Sequence, residues 1–244
     1  MSNKKEHLLI TGASGGIGQA TAKALASSSR ILYLHYHKNR ERILQVKHTC
    51  ENLGAEVFIL QADLSTRDGT DQLIAQIPTN IDALVYHAGM DSVQLFTDIS
   101  DETLLEVMQV HLYNPMRIAR QLLKGMIRNQ KGKLIFVSSI WGLAGASCEV
   151  TYSAAKGGIN AFVKALAKEV ALSNIQVNAI APGAIDTGML TRYNETDRQQ
   201  LIDEIPAGRL GESEEVAAYI TFLLTEQASY INGQILSING AWYT

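Results

Sequence analysis

Apolar residues in this chain gather in short β-rich runs at 7–11, 31–35, 56–62, 83–87, 133–138, 175–180 and 234–238. Longer stretches with helical spacing lie between them, near 17–28, 39–53, 68–77, 101–130, 151–173 and 213–225. Buried strands alternating with helices predict an α/β fold whose parallel sheet, of about seven strands, carries helices on both faces. Right-handed crossovers make such a sheet doubly wound, and ligands then bind beyond the carboxyl ends of its strands. No linker-like break, internal repeat or low-complexity segment interrupts the pattern, so a single domain over residues 1–244 is expected. The weakest stretch is 186–210, which is polar and holds Gly188, Pro206 and Gly208. It follows the strand ending near Ile180 and reads as a mobile substrate lid.

Composition narrows the setting. Hydrophobic residues make up 46% of the chain and charged residues 18%, which suits a well-buried core. A net charge of −3 gives no reason to expect nucleic acid or an anionic membrane as partner. No apolar run is long enough to cross a bilayer, and the run after the polar residues 1–6 is too short for a signal peptide. Cys50 and Cys148 lack metal-ligand spacing and fit a reduced protein, so a cytoplasmic location without a metal is expected.

The candidate chemistry begins at Gly12, Ser14, Gly15, Gly16, Ile17 and Gly18, a glycine-rich turn between the first run and the first helical stretch. A strand entering such a turn and then a helix points backbone N–H groups and the helix dipole at a pyrophosphate. Glycine leaves room there for phosphates and for helix–sheet packing. By itself the turn is also compatible with a purely structural role.

Tyr152 and Lys156 stand four residues apart at the start of a helical pattern, so they share one face. Ser139 follows a strand and presents its hydroxyl at the strand's carboxyl end. A phenol beside a fixed ammonium ionises more readily, and a tuned phenol can exchange a proton with an alcohol oxygen held by a serine hydroxyl.

Several motifs in order carry a resemblance over essentially the whole length. They are T-G-x-x-x-G-I-G at 11–18, Asp63 after the third strand, Ala88-Gly89 after the fourth, then Ser139, Tyr152 and Lys156. Asn178, Pro182-Gly183, Thr187 and Gly233-Gln234 complete the set. With them the chain resembles the short-chain dehydrogenase/reductase family. The resemblance implies a Rossmann-type sheet and hydride transfer between a nicotinamide and a carbonyl or alcohol. It makes Tyr152 the proton donor, lets Ser139 polarise the carbonyl, and has Lys156 tune Tyr152 and bind the nicotinamide ribose. It also assigns Leu64, His87 and Ile185 to the cofactor, with the glycine turn, Asp63, Ala88, Gly89, Pro182, Gly183 and Thr187. Homodimers or homotetramers pairing the helices at 101–130 and 151–173 are expected by the same analogy.

Two positions depart from the family. His87 replaces an Asn that supports the sheet and cofactor, and His111 replaces the Asn that holds a relay water. An imidazole can both donate and accept, so His111 is a candidate catalytic residue, with a packing role as the alternative. Asn114, three residues on, is a candidate substitute.

At the end of the second strand the usual ribose-binding carboxylate is absent. Tyr36 takes that place and His37, Lys38 and Arg40 follow, which favours the 2′-phosphate of NADP(H), with NAD(H) as the alternative cofactor. A solvated basic start to the next helix is the other reading. Trp141 is an expected substrate wall. Glu149 is either a carboxylate suited to a helix dipole or a counter-charge for a cationic substrate. Within the family the chain is most similar to 3-oxoacyl-[acyl-carrier-protein] reductases. The run at 138–150, His111 and Trp242-Tyr243 also resemble the elongation factor P 5-aminopentanone reductases. The expected partner is therefore a ketone, either small or bound to a carrier or protein. A dinucleotide-sensing regulator that has lost catalysis is the non-enzyme alternative.

Overall fold

A computed structural model of the chain describes residues 5–188 and 194–244. Seven strands form one parallel sheet in the order β3-β2-β1-β4-β5-β6-β7. They are β1 (Glu6–Thr11), β2 (Arg30–Tyr36), β3 (Glu56–Gln61), β4 (Ala83–Tyr86), β5 (Gly132–Val137), β6 (Ile175–Pro182) and β7 (Ile235–Ile238). The order reverses between β1 and β4, and the crevice beyond that point is where an open α/β sheet takes its ligand.

Alternation along the strands feeds two cores. Leu8, Ile10, Leu32 and Leu34 pack on one face with residues of α1 (Gly16–Leu25), α2 (Arg40–Asn52) and α9 (Ser213–Leu223). Leu9, Leu84, Leu134 and Phe136 pack on the other, against α5 (Asn114–Asn129) and α7 (Val150–Val170). Burial on both faces explains why these strands read as nearly continuous apolar runs. A short helix, α3 (Gly69–Ile74), follows β3.

Three elements differ from the sequence expectation. The single helix expected over 101–130 is α4 (Asp101–Met108), a π-turn over Gln109–Tyr113, and then α5. Pro115 has no N–H for the His111 carbonyl, and its ring crowds that oxygen, so the turn just before it widens. The loop after β5 contains a short helix, α6 (Trp141–Ala144). The expected lid holds α8 (Glu195–Asp203), whose Asn194 side chain accepts from the Asp197 N–H at 2.9 Å. Residues 189–193 of that stretch lie outside the described residues. No described helix is long and apolar enough to cross a membrane.

Candidate active site

The glycine turn is built by close backbone contacts. Gly12 has φ +66°, and a Cβ there would come within 2.9 Å of the Ala88 backbone. At Gly18 a Cβ would lie 2.2 Å from the Gly12 carbonyl oxygen. Gly15 caps α1 without a side-chain bond, and no acid lies in the first turn, so the positive end of the helix dipole stays open to an anion.

Thr11, which opens the glycine motif, and His35, which the sequence did not mark, brace this turn. The buried Thr11 Oγ1 accepts from the N–H groups of both His87 and Ala88, each at 3.0 Å. The buried His35 accepts from the Gly12 N–H through Nδ1 and donates from Nε2 to the Ala62 carbonyl, both at 3.1 Å. Burial holds the His35 pKa down at about 4, so the ring is neutral in this role. The Thr-Gly junction and the strand-end histidine were the available signals.

Beyond the sheet's carboxyl edge a cavity brings together Ser139, Tyr152, Lys156, His111 and His87. Gly89, Pro182, Gly183, Ile185, Thr187, Trp141 and Glu149 line it too, as do Asp91 and Leu201, which no sequence motif marked, and Trp242, which the sequence did not place at the site. Of the two serines after β5, Ser138 is committed to Asn160 Oδ1 at 2.7 Å, whereas Ser139 accepts from the Trp141 N–H at 3.1 Å and shares the cavity wall with Tyr152. Tyr152 and Lys156 occupy α7, with Lys156 Nζ 5.4 Å from the Tyr152 ring centre and donating to the Val137 carbonyl at 2.7 Å.

The electrostatics differ from the simple expectation for a phenol beside an ammonium. Burial pushes the Tyr152 pKa up, the Ser139 bond opposes it, and the carboxylates of Glu149 and Asp91 raise it further. Burial pulls the Lys156 pKa down to about 7. Tyr152 therefore keeps its proton.

His111 sits on the π-turn with its ring edge-on to Tyr152, centroids 4.9 Å apart. Nε2 lies 2.9 Å from the Met90 carbonyl oxygen and 3.2 Å from the Met90 nitrogen, and the buried Nδ1 has no hydrogen-bond partner among the described residues. Burial first, then the Lys156 charge, depress its pKa. His87 is likewise held at about 4 by burial and the Lys156 charge. Asn114 does not share this position. Its Nδ2 donates to the Leu64 and Thr66 carbonyls at 3.0 and 2.7 Å, and its Oδ1 accepts from Thr70 at 2.7 Å, which commits it to the α3 side. Asn178 is also structural: it accepts from the Gln234 N–H and donates to the Ile231 carbonyl.

A second group lies at the ends of β2 and β3, outside the cavity lining. Tyr36 is buried in the core with its hydroxyl 3.3 Å from Gln61 Oε1. Lys38 and Arg40 are exposed, and His37 Nε2 lies 3.4 Å from Asp63. Burial raises the Asp63 pKa, but two bonds from Ser65 and the charges of His37 and Lys38 bring it below its usual value. Cations at the start of α2 oppose its dipole, so they are better explained by an anionic ligand than by helix stability. The uncapped α1 turn and the cavity at the switch point fit a nicotinamide dinucleotide.

The chain matches the short chain dehydrogenase family over residues 6–198. It is 48% identical over 236 residues to the oxidoreductase YmfI of Bacillus subtilis, covering 96% of this chain and 98% of that one. It is 36% identical over 239 residues to the 3-oxoacyl-[acyl-carrier-protein] reductase FabG of Aggregatibacter actinomycetemcomitans, covering 96% and 98%. Among solved structures, the angucycline C-6 ketoreductase LanV with bound NADP superposes with a TM-score of 0.88 at 25% identity, covering 98% of this chain and 96% of that one.

Proposed function

The chain belongs to the short-chain dehydrogenase family of oxidoreductases, and from that premise we propose an NADPH-dependent ketoreductase acting on 3-oxoacyl groups carried on a protein or thioester. The observation that carries this reading is the gathering of Ser139, Tyr152 and Lys156 on the wall of one cavity, with Lys156 Nζ 5.4 Å from the Tyr152 ring centre. Held along Gly12–Gly18, Lys38, Arg40, Lys156 and Thr187, the reduced nicotinamide would supply the hydride. Tyr152 gives its phenolic proton to the carbonyl oxygen as that oxygen gains negative charge, and Ser139 holds the oxygen in place. Lys156, anchored on the Val137 carbonyl, bears on the phenolate that remains. His111, edge-on to Tyr152, is positioned to influence its reprotonation.

A second reading concerns the ketone. Asp91 and Glu149 line the cavity, and both act electrostatically on Tyr152. Two carboxylates beside an aromatic wall favour a substrate bearing an ammonium group, as in the 5-aminopentanone side chain of elongation factor P. Cytoplasmic location and homo-oligomerisation through α4, α5 and α7 complete the proposal. Half-exposed Leu105, Tyr113 and Val150 support the pairing.

The test measures NADPH and NADH oxidation with acetoacetyl thioesters and with amino-ketones. Thioester turnover with higher kcat/KM for NADPH supports the first reading, and faster turnover of the amino-ketone supports the second. Equal or better efficiency with NADH contradicts the cofactor assignment.

A further inference from the structure

The residues after β7 form neither helix nor strand, yet their backbone is closely held. The Ala241 N–H donates to Asn239 Oδ1 at 3.1 Å, and the Trp242 N–H donates to the Asn239 carbonyl at 3.0 Å. Asn239 Nδ2 in turn donates to the Tyr243 carbonyl at 2.6 Å. Ala241 adopts φ +66°, a left-handed conformation that costs an alanine free energy. The Gly240 carbonyl accepts from the Ala207 N–H at 3.1 Å, tying the tail to the segment after α8.

This turn carries Trp242 into the wall of the cavity that holds Ser139 and Tyr152. There its ring meets Trp141 edge-on, with centroids 5.3 Å apart. Tyr243 completes the cluster, 5.5 Å from Trp141 and 5.6 Å from Trp242. The cavity measures about 180 Å³ and has to admit the nicotinamide as well as the ketone. Sites for drug-sized ligands span roughly 300–1,000 Å³.

We infer that Trp242 determines substrate specificity by bounding the ketone site with Trp141, so that short oxoacyl groups are accepted and longer chains are rejected. The inference deepens the ketoreductase reading and rests on it. Local strain at Ala241 and the Asn239 bonds hold one aromatic ring at the cavity.

The experiment compares kcat/KM for 3-oxooctanoyl and acetoacetyl thioesters with NADPH. Trp242→Ala is expected to raise the long-to-short ratio by about tenfold, the discrimination carried by a methylene or more in an apolar pocket. Trp242→Leu is expected to raise it less, and Trp242→Phe to stay near the wild-type ratio. NADPH affinity and melting temperature identify any variant that has lost its fold, in which case Trp242→Leu supplies the comparison. An unmoved ratio in a folded, NADPH-binding Trp242→Ala or Trp242→Leu protein overturns the inference, as does a wild-type enzyme that reduces both thioesters equally well. Wild-type protein that turns over no ketone overturns the ketoreductase reading itself, a result distinct from an unmoved ratio.

Discussion

The cofactor side and the substrate side of the cleft are held in different ways. On the cofactor side, strand ends and a helix start are joined by backbone contacts: Thr11 to His87 and Ala88, Gly12 to His35, and Gly18 against the Gly12 carbonyl. On the substrate side, a four-residue helix, a loop with Cys148 at φ +62° and a tail with Ala241 at φ +66° bring Trp141, Glu149 and Trp242 to the cavity. The first arrangement tolerates little change because Gly12 and Gly18 lie directly against backbone atoms. The second can change its side chains while leaving the sheet intact, which is how one scaffold serves many ketones.

The largest effect that separates the two sides is expected from Gly18→Ala. Its Cβ has no room beside the Gly12 carbonyl, so the turn must shift. Calorimetry should record a loss of about 3 kcal/mol in NADPH binding, roughly a hundredfold in Kd. An affinity within a few-fold of wild type would show that the turn does not cradle the dinucleotide.

Acid should loosen the cofactor side next. His35 has a pKa of about 4 in the folded chain against 6.5 for an unperturbed histidine. As pH falls from 6.5 to 4 the unfolded chain takes up a proton that the folded chain refuses. Stability is therefore full above about pH 6.5 and falls by roughly 3 kcal/mol towards pH 4 from this one residue. Melting temperature measured against pH should show a shallower acid slope in His35→Asn than in wild type. Identical slopes would refute the neutral, bridging role of His35.

A smaller effect sharpens the comparison at the rim. Replacing Lys38 and Arg40 together by alanine should weaken NADPH binding about tenfold, the scale of one charge-assisted hydrogen bond or slightly more, while NADH binding barely moves. Equal weakening of both cofactors would place these cations away from the 2′-phosphate.

Legibility in the sequence follows the same division. The strands were readable because burial on both faces leaves apolar runs, and the turn because its glycines sit between a strand and a helix. Tyr152 and Lys156 could be placed on one helical face from spacing alone. Asn114 could not be judged from helical spacing, since the widened turn before Pro115 and the bonds to Leu64 and Thr66 set its direction. The polar α8 lacked the apolar stripe that marks a helix, although Asn194 offered a capping signal. Trp242 was visible only as a tail residue because its place at the cavity depends on a local turn and on contacts far away in sequence.

The most direct measurement of the central claim compares wild type with Tyr152→Phe in NADPH oxidation driven by an acetoacetyl thioester, with NADPH Kd measured in parallel. In Tyr152→Phe kcat is expected to fall about a thousandfold, within the range for losing a positioned acid, while Kd stays close to wild type. Equal turnover by the two proteins would contradict Tyr152 as proton donor, and tight NADPH binding without turnover by either would point instead to a dinucleotide sensor.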